Sequence, residues 1–206
     1  MNPYHLDIAG DWYADPAVLD KFSRDMSAYR IVPALVVAPK NEEDILSTLR
    51  FARNEGLGIV SRAGGSDLSG ASIGPGIILN LKKYLHNAVR LGEVSIVEPG
   101  MILDHFVKKI SAHNLMLPAI PSSSAWCALG GNIGTRATGP RTAKYGTLVG
   151  EHNAGRSRSV YLKMELGPAY TYLREIKDLF DPEDILNPGS LFDTDPICTH
   201  MDFKVR

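Results

Sequence analysis

Residues 58–81 read GIVSRAGGSDLSGASIGPGIILNL. Two apolar, β-branched segments enclose a stretch that is dominated by glycine and serine. After a strand, such a stretch can point successive backbone N–H groups into one concavity, which binds an anion without a lysine. Glycine permits positive φ and lets an oxygen approach the backbone closely. The residues alone leave two alternatives, a phosphate-binding loop and a plain surface loop.

The stretch does not match the common nucleotide or hydrolase motifs. No Gly-Lys-Ser/Thr follows the glycines, and no G-x-G-x-x-G occurs, so neither the Walker nor the dinucleotide pattern is present. The G-x-S-x-G elbow of hydrolases is also absent, despite Ser66.

The residues before the glycines predict a strand, a helix and a second strand. ALVVA at 34–38 is a short β-branched run. Asn41 is a good N-cap, three acidic residues follow in the first turn, and Gly56 is a natural helix stop. This order suggests that strands 34–38 and 58–63 pair in parallel, with the helix as the crossover.

Hydrophobic spacing predicts the remaining elements. We expect helices over 16–29 and 101–114, a helix that begins at Pro168 and stops at Asp181-Pro182, and strands over 76–81 and 93–100. The fold class is therefore α+β, with a parallel start.

Composition excludes several classes of protein. The chain has 206 residues, 44% of them hydrophobic, and a formal net charge of −1, which does not suit an electrostatic nucleic-acid binder. Cys127 and Cys198 lie far apart and cannot alone hold an iron–sulfur cluster or structural zinc. We find no membrane-length apolar run and no signal-peptide pattern, so we expect a cytoplasmic protein.

A second glycine-rich stretch occupies residues 121–140 and reads PSSSAWCALGGNIGTRATGP. Few large side chains project from such a stretch, so a large flat ligand could lie against its backbone. A pair of tight turns is the alternative. The presence of both glycine-rich stretches and DILNPG at 184–189 in one chain favours the ligand-binding interpretation.

Several segments, in order, resemble one family. They are VVAPKNEEDI, SRAGGSDLSG, VEPGM, the stretch from PSSSAW to AKYG, and EHNAG through DILNPGSLF. They are similar to the FAD-linked oxidases of the vanillyl-alcohol oxidase and p-cresol methylhydroxylase type. Within that family they most resemble the branch that contains glycolate oxidase and the D-lactate and D-2-hydroxyglutarate dehydrogenases. The resemblance runs from about residue 28 to residue 193.

The resemblance implies a two-subdomain FAD-binding fold. Residues 1–75 would form a small parallel sheet with helices, and residues 76–150 a mainly antiparallel sheet with helices. Residues 151–206 would be a C-terminal segment that returns to the FAD domain. FAD would lie between the two subdomains.

The resemblance also implies the residues that bind FAD. Those expected around the pyrophosphate are Arg62, Ala63, Gly64, Gly65, Ser66, Asp67, Leu68, Ser69 and Gly70. Those expected along the ribityl chain and isoalloxazine are Pro121, Ser122, Ser123, Ser124, Ala128, Gly130, Gly131, Gly134, Thr135, Ala137 and Gly139. Asn187 would reach the flavin from the C-terminal segment.

Two departures from the family pattern change the expected chemistry. Ser66 stands where some members carry the histidine that attaches FAD covalently, so we predict non-covalent FAD. The substrate-binding cap domain, which relatives carry between KYG and EHG, is absent here. Because the cap supplies metal-binding histidines, Glu151 and His152 alone are too few ligands, and we expect no metal.

His152 matches the family's catalytic position and would take the hydroxyl proton of a D-2-hydroxy acid. Its alternative is a surface histidine left behind by the loss of the cap. The chain would accordingly be a minimal FAD-dependent oxidoreductase, a flavin-binding or electron-transfer module that needs a partner chain, or a relict of an internal gene deletion. We expect a homodimer or a partner subunit to cover the exposed flavin, and neither nucleic acid nor a membrane span.

Overall fold

The computed structural model describes residues 4–92, 94–117, 120–135, 137, 139, 167–189 and 192. Its strands are β1 (Asp11–Tyr13), β2 (Leu35–Ala38), β3 (Ile59–Arg62), β4 (Ile77–Asn80), β5 (Ala88–Arg90) and β6 (Ile96–Val97). Its helices are α1 (Pro16–Phe22), α2 (Glu42–Glu55), α3 (Leu103–Ser111), α4 (Leu129–Gly134) and α5 (Ala169–Phe180).

The first sheet has the strand order β1-β2-β4-β3. Strands β2, β4 and β3 run parallel, and β1 is an antiparallel edge beside β2. Helix α2 joins β2 to β3 as expected, but β4 lies between these two strands, so the predicted direct pairing of β2 with β3 is wrong. The apolar run of β4 suits a central position, where both faces of a parallel strand are covered.

Both faces of this sheet carry apolar cores. On one face Leu35, Ile77 and Leu79 pack with Ala52 of α2. On the other face Val36, Val60 and Ile78 pack with partly buried residues of α1. Alternate residues of a strand point to opposite faces, which explains why neighbouring residues of β4 join different clusters.

The second sheet contains only β5 and β6 among the described residues, and they pair antiparallel. Helix α3 packs beside it through Leu103, Phe106 and Ile110. The α+β class is confirmed. The first sheet is mixed, because β1 adds an antiparallel edge to the expected parallel strands, and β5 and β6 are antiparallel as expected. The subdomain boundary between residues 75 and 76 stays a prediction. Strand β4 pairs with β2, so the first sheet extends as far as Asn80.

Several predicted boundaries are wrong. The helix expected over 16–29 ends at Phe22, because Ser23 donates its hydroxyl to the Asp20 carbonyl and the chain then turns back on itself. The strand expected over 93–100 is reduced to Ile96–Val97. The short helix α4 lies in the second glycine-rich stretch. The alternatives there were a ligand-binding surface and a pair of tight turns, and no helix was predicted.

Other local signals are confirmed. Asn41 caps α2 by accepting from the Asp44 amide, and Gly56 ends that helix at φ +63°. Asn114, three residues after α3, has φ +57°, in the left-handed region that asparagine tolerates. Helix α5 ends where Asp181-Pro182 predicts, but it begins at Ala169, so Pro168 is the N-cap rather than the predicted first helical residue.

The segment after α5 extends the first sheet at its β3 edge. Leu186 forms a parallel bridge with Ile59, and the Asn187 amide donates to the Ile59 carbonyl at 2.6 Å. The Asp181 carboxylate accepts from the amides of Ile185 and Leu186 and so fixes the turn that leads there. Among the described residues, no helix is long and apolar enough to cross a membrane.

Candidate functional site

The glycine loop, residues 62–70, leaves the carboxyl end of β3. Gly65 and Gly70 adopt φ values of +65° and +78°, which side-chain-bearing residues rarely tolerate. A Cβ on Gly65 would stand 2.3 Å from Nη2 of Arg62, and one on Gly70 would stand 2.8 Å from Cδ2 of Tyr29. Both glycines are therefore required by backbone conformation and by space.

Asp67 shapes the inside of this loop. Its carboxylate accepts from the amides of Ser69 at 2.9 Å and Ala71 at 2.7 Å, and from the Ser69 hydroxyl at 3.1 Å. These donors are occupied by the loop itself. The predicted cofactor roles of Asp67 and Ser69 stay predictions, and their contacts stabilise the shape of the loop.

The guanidinium of Arg62 also binds protein rather than an open surface. Nη2 donates to the Arg24 carbonyl at 2.7 Å, and Nη1 donates to the carbonyls of Phe22 and Ser72, each at 3.3 Å. Burial lowers the pKa of Arg62, and the nearby Asp25 charge opposes that effect. The side chain thus braces the loop, and the pyrophosphate contact that the resemblance implies for Arg62 stays a prediction.

The two glycine-rich stretches touch each other. A Cβ on Gly64 would stand 2.2 Å from the carbonyl oxygen of Trp126, so the two backbones are in direct contact. Gly130 approaches Pro99 and Gly139 approaches the Ile120 carbonyl just as closely. At these three positions glycine is needed for packing between segments.

Gly131 and Gly134 differ from the other glycines of the second stretch. A Cβ on either would meet nothing within 4 Å. They therefore provide open surface on α4. Ala63, Ser66 and Leu68 belong to the glycine loop, where the Leu68 side chain is 54% exposed.

Residues 121–128 form a turn that packs on the start of α3. The carbonyl of Ser123 accepts from the amides of Trp126 and Cys127, and the Ser124 carbonyl accepts from the Asp104 amide. Farther on, the Thr135 hydroxyl donates to the Gly131 carbonyl at 2.8 Å, and the Ala137 amide donates to the Asn132 carbonyl. The remaining predicted residues here, Pro121, Ser122 and Ala128, belong to the same turn and its link to α4.

In the described part of the chain, two buried polar atoms have no hydrogen-bond partner, Nδ2 of Asn132 and Oδ1 of Asn187. Buried polar groups are nearly always paired, so each of these atoms is open to a ligand, a water molecule or a residue outside those described. FAD carries both donors and acceptors and fits this requirement. Asn132 was not among the residues expected to bind FAD, because that prediction was based on the glycines around it. An amide inside a glycine-rich stretch was the signal that could have found it.

The structure does not bring Asn187 to the glycine loop. Asn187 binds Ile59 at the amino end of β3, whereas the glycine loop leaves the carboxyl end, about 10 Å farther along the strand. A cavity of about 240 Å³ lies at the same amino end, lined in part by Gly58, Glu183 and Pro188. This cavity is thus separate from the contact between Gly64 and Trp126.

Glu151 and His152 lie outside the described residues. Within the described part of the chain, no group of three or more histidine, cysteine, aspartate or glutamate residues could hold a metal.

Comparison with known proteins identifies the family. The profile described as "FAD binding domain" matches residues 33–152, more than half of the chain, and that described as "FAD linked oxidases, C-terminal domain" matches residues 141–191. The chain belongs to the FAD-binding domain family of FAD-linked oxidases. FAD as the cofactor class and the resemblance drawn from the sequence are both confirmed.

The curated relatives belong to the expected branch. Glycolate oxidase subunit GlcD of Escherichia coli K12 is 30% identical over 145 residues, which cover 68% of this chain and 29% of that protein. The D-lactate dehydrogenase of Archaeoglobus fulgidus is 32% identical over 117 residues, covering 55% of this chain and 26% of that protein.

Solved structures share the fold. The 6-hydroxy-D-nicotine oxidase of Arthrobacter nicotinovorans superposes with a TM-score of 0.58 at 22% identity and covers 70% of this chain and 32% of that one. For p-cresol methylhydroxylase the TM-score is 0.52 at 19% identity, with 61% of this chain and 26% of that one covered.

This chain spans less than a third of the length of these curated relatives. The two family matches overlap at residues 141–152, so no separate segment lies between them. This agrees with the absence of a cap domain between KYG and EHNAG.

Proposed function

We propose that the chain binds FAD non-covalently between residues 62–70 and 121–139 and works as a minimal FAD-dependent oxidoreductase. The observation that carries the proposal is the backbone contact between Gly64 and Trp126. It joins the two stretches that the resemblance assigns to the cofactor, both within the matched FAD-binding region. The unpaired Nδ2 of Asn132, on α4 in the second stretch, provides a donor for it.

The described residues suggest how the chain would hold the cofactor. Backbone amides at 63–66 would bind the pyrophosphate, because glycine conformations of this kind favour anion-binding concavities. The open surface at Gly131 and Gly134 would take the flat flavin ring. Ser66 offers only a hydroxyl where other members carry a histidine, so the attachment would be non-covalent. Asn187 stays a proposed flavin contact.

Bound FAD would supply a hydride acceptor at flavin N5. In this proposal His152 holds the hydroxyl proton of the donor, since imidazole titrates near neutral pH. The substrate class is a small D-2-hydroxy acid, because relatives are named glycolate oxidase subunit and D-lactate dehydrogenase. We further propose a cytoplasmic protein and no resident metal.

The first experiment is the visible spectrum of the purified protein, followed by precipitation with trichloroacetic acid. We expect flavin bands, with the colour released into the supernatant. Colour that stays in the pellet would contradict non-covalent binding. A colourless protein that does not take up added FAD would contradict cofactor binding. It would favour the alternative that the chain is a relict of an internal gene deletion.

Substrate use is tested by anaerobic reduction of the flavin with D-lactate or glycolate, with L-lactate as the control. We expect bleaching by the D-acid or glycolate alone and its loss in His152→Ala. If His152→Ala bleaches as fully as wild type, another residue must take the hydroxyl proton of the donor.

The second candidate function is a flavin module completed by a homodimer or a partner subunit. It is favoured by exposed apolar side chains beside the proposed site, since Trp126 is 69% and Ile133 75% exposed. The E. coli relative is likewise named as a subunit. Light scattering of the FAD-loaded protein that gives a monomer, together with flavin reduction by substrate alone, would exclude this candidate.

A further inference from the structure

We infer that residues 23–31 hold the glycine loop in its shape and act as positioning residues for the FAD site. This inference rests on the proposed binding of FAD by residues 62–70. The sequence predicted part of a helix over 23–29, and the structure instead places a closed loop there, against the cofactor segment.

The 23–31 loop is closed by its own contacts. The Ile31 amide donates to the Ser23 carbonyl at 2.8 Å, and Arg24 pairs with Arg30 across an antiparallel bridge. Inside it, Asp25 accepts from the Ser27 amide at 2.9 Å. Ser23 is fully buried, so one end of the loop is anchored in the protein interior. The loop therefore has a defined shape of its own.

Arg62 provides the first link between the two loops. Its guanidinium donates to the carbonyls of Phe22 and Arg24 on one side and to that of Ser72 on the other. It also stacks on the Phe22 ring, with Cζ 5.3 Å from the centroid. A planar fork of donors can serve several carbonyls at once, which a lysine ammonium does less well. One side chain thus ties both ends of the glycine loop to residues 22–24.

Two further links are independent of Arg62. The Ser72 hydroxyl donates to Oδ2 of Asp25 at 3.0 Å. Gly70 lies so close to the Tyr29 ring that a Cβ there would stand 2.8 Å from Cδ2. The 23–31 loop thus contacts the glycine loop at Arg62 and Gly70 and the chain just after it at Ser72. A loop held at three points before ligand binding loses less entropy when the ligand binds.

A positioning role and a phosphate-binding role make different predictions for the protein without FAD. If Arg62 and Ser72 position the loop, their replacement loosens residues 63–71 even when no cofactor is bound. If Arg62 is a phosphate ligand, its replacement changes FAD affinity and leaves the cofactor-free loop unchanged.

We therefore propose amide hydrogen exchange on the cofactor-free chain for wild type, Ser72→Ala and Arg62→Lys. Ser111→Ala is the matched control, because its hydroxyl also makes one hydrogen bond, to the Val107 carbonyl on α3. A net hydrogen-bond contribution predicts about fivefold faster exchange at residues 63–71 in Ser72→Ala, and a larger change in Arg62→Lys. The control should match wild type there.

FAD titration of the same variants completes the test. We expect Ser72→Ala to bind FAD about fivefold more weakly than wild type and Ser111→Ala to bind it equally well. Unchanged exchange in Ser72→Ala overturns the inference, even if FAD affinity falls. If Arg62→Lys does not fold, Ser72→Ala decides alone. A wild type that binds no FAD contradicts the proposed function, while the exchange result still decides whether residues 23–31 order the loop.

Discussion

In the four-stranded sheet, Leu35, Ile77 and Ile78 have no exposed surface, whereas Val89 on β5 and Ile96 on β6 are 71% and 51% exposed. The first sheet is covered on both faces by helices and connecting segments of the same chain. The second sheet is packed mainly by α3 and the turn before α4. The first sheet is thus buried on both faces, whereas the second sheet packs on α3 and leaves other apolar side chains exposed.

The largest expected effect is loss of stability from a cavity in the first sheet. Ile78→Ala should lower the free energy of unfolding by about 2–5 kcal/mol, because the removed atoms leave a space in a closely packed core. Urea unfolding measures the change.

Ile96→Ala is the matched control for this prediction. With half of its surface exposed, this substitution should cost less than about 1 kcal/mol. Similar costs at both positions would contradict the contrast between the sheets.

The next effect separates glycines that pack from glycines that face open space. Gly64→Ala should destabilise the protein by about 1–3 kcal/mol and weaken FAD binding, because its Cβ would collide with the Trp126 carbonyl. Unfolding curves and FAD titration are the measurements.

Gly131→Ala should leave stability unchanged or raise it by about 0.5–1 kcal/mol, since it lies in α4 with open space around it. If the flavin lies over α4, this variant should still weaken FAD binding. A Gly131→Ala protein that binds FAD as wild type does would place the flavin elsewhere.

A smaller effect concerns the pH dependence at the edge of the first sheet. Hydrogen bonds from Lys83 and Tyr84, each at 2.5 Å, hold the pKa of Asp11 at about 2, below its ordinary 3.8. Because the folded-state pKa is depressed, this contact stabilises the fold above about pH 4. The contribution is lost as the pH falls from 3.8 towards 2.

Asp11→Asn should therefore flatten the dependence of the urea midpoint on pH between about 4 and 2. The control is Asp104→Asn, which removes a carboxylate from the first turn of α3, away from the Asp11 contact. An unchanged slope in Asp11→Asn would show that β1 is not held by this ion pair.

The smallest effect on stability is expected on α5. Leu179 is 75% exposed, so Leu179→Gln should change the free energy of unfolding by no more than about 0.5 kcal/mol. If a second copy or a partner covers α5, the same substitution should reduce association in sedimentation experiments. A large loss of stability in a monomeric protein would show that other parts of this chain cover the helix.

Much of the local structure followed from the sequence. Asn41 and Gly56 determine the ends of α2 because capping acts within one turn of the chain. The continuous burial of β2 and β4 follows from apolar runs that suit a parallel strand covered on both faces. The motifs, taken in order, also identified the family and its cofactor.

Long-range placement did not follow from the sequence. The position of β4 between β2 and β3 depends on where residues 63–76 return, which no local propensity specifies. The bracing role of Arg62 depends on its contacts with Phe22 and Arg24, which lie 40 and 38 positions away in sequence. The sequence by itself determined β2, α2, β3 and β4, the family and its cofactor. The tertiary structure decided the strand order and which side chains hold the glycine loop. Both depend on contacts between backbone groups that meet only once the chain has folded.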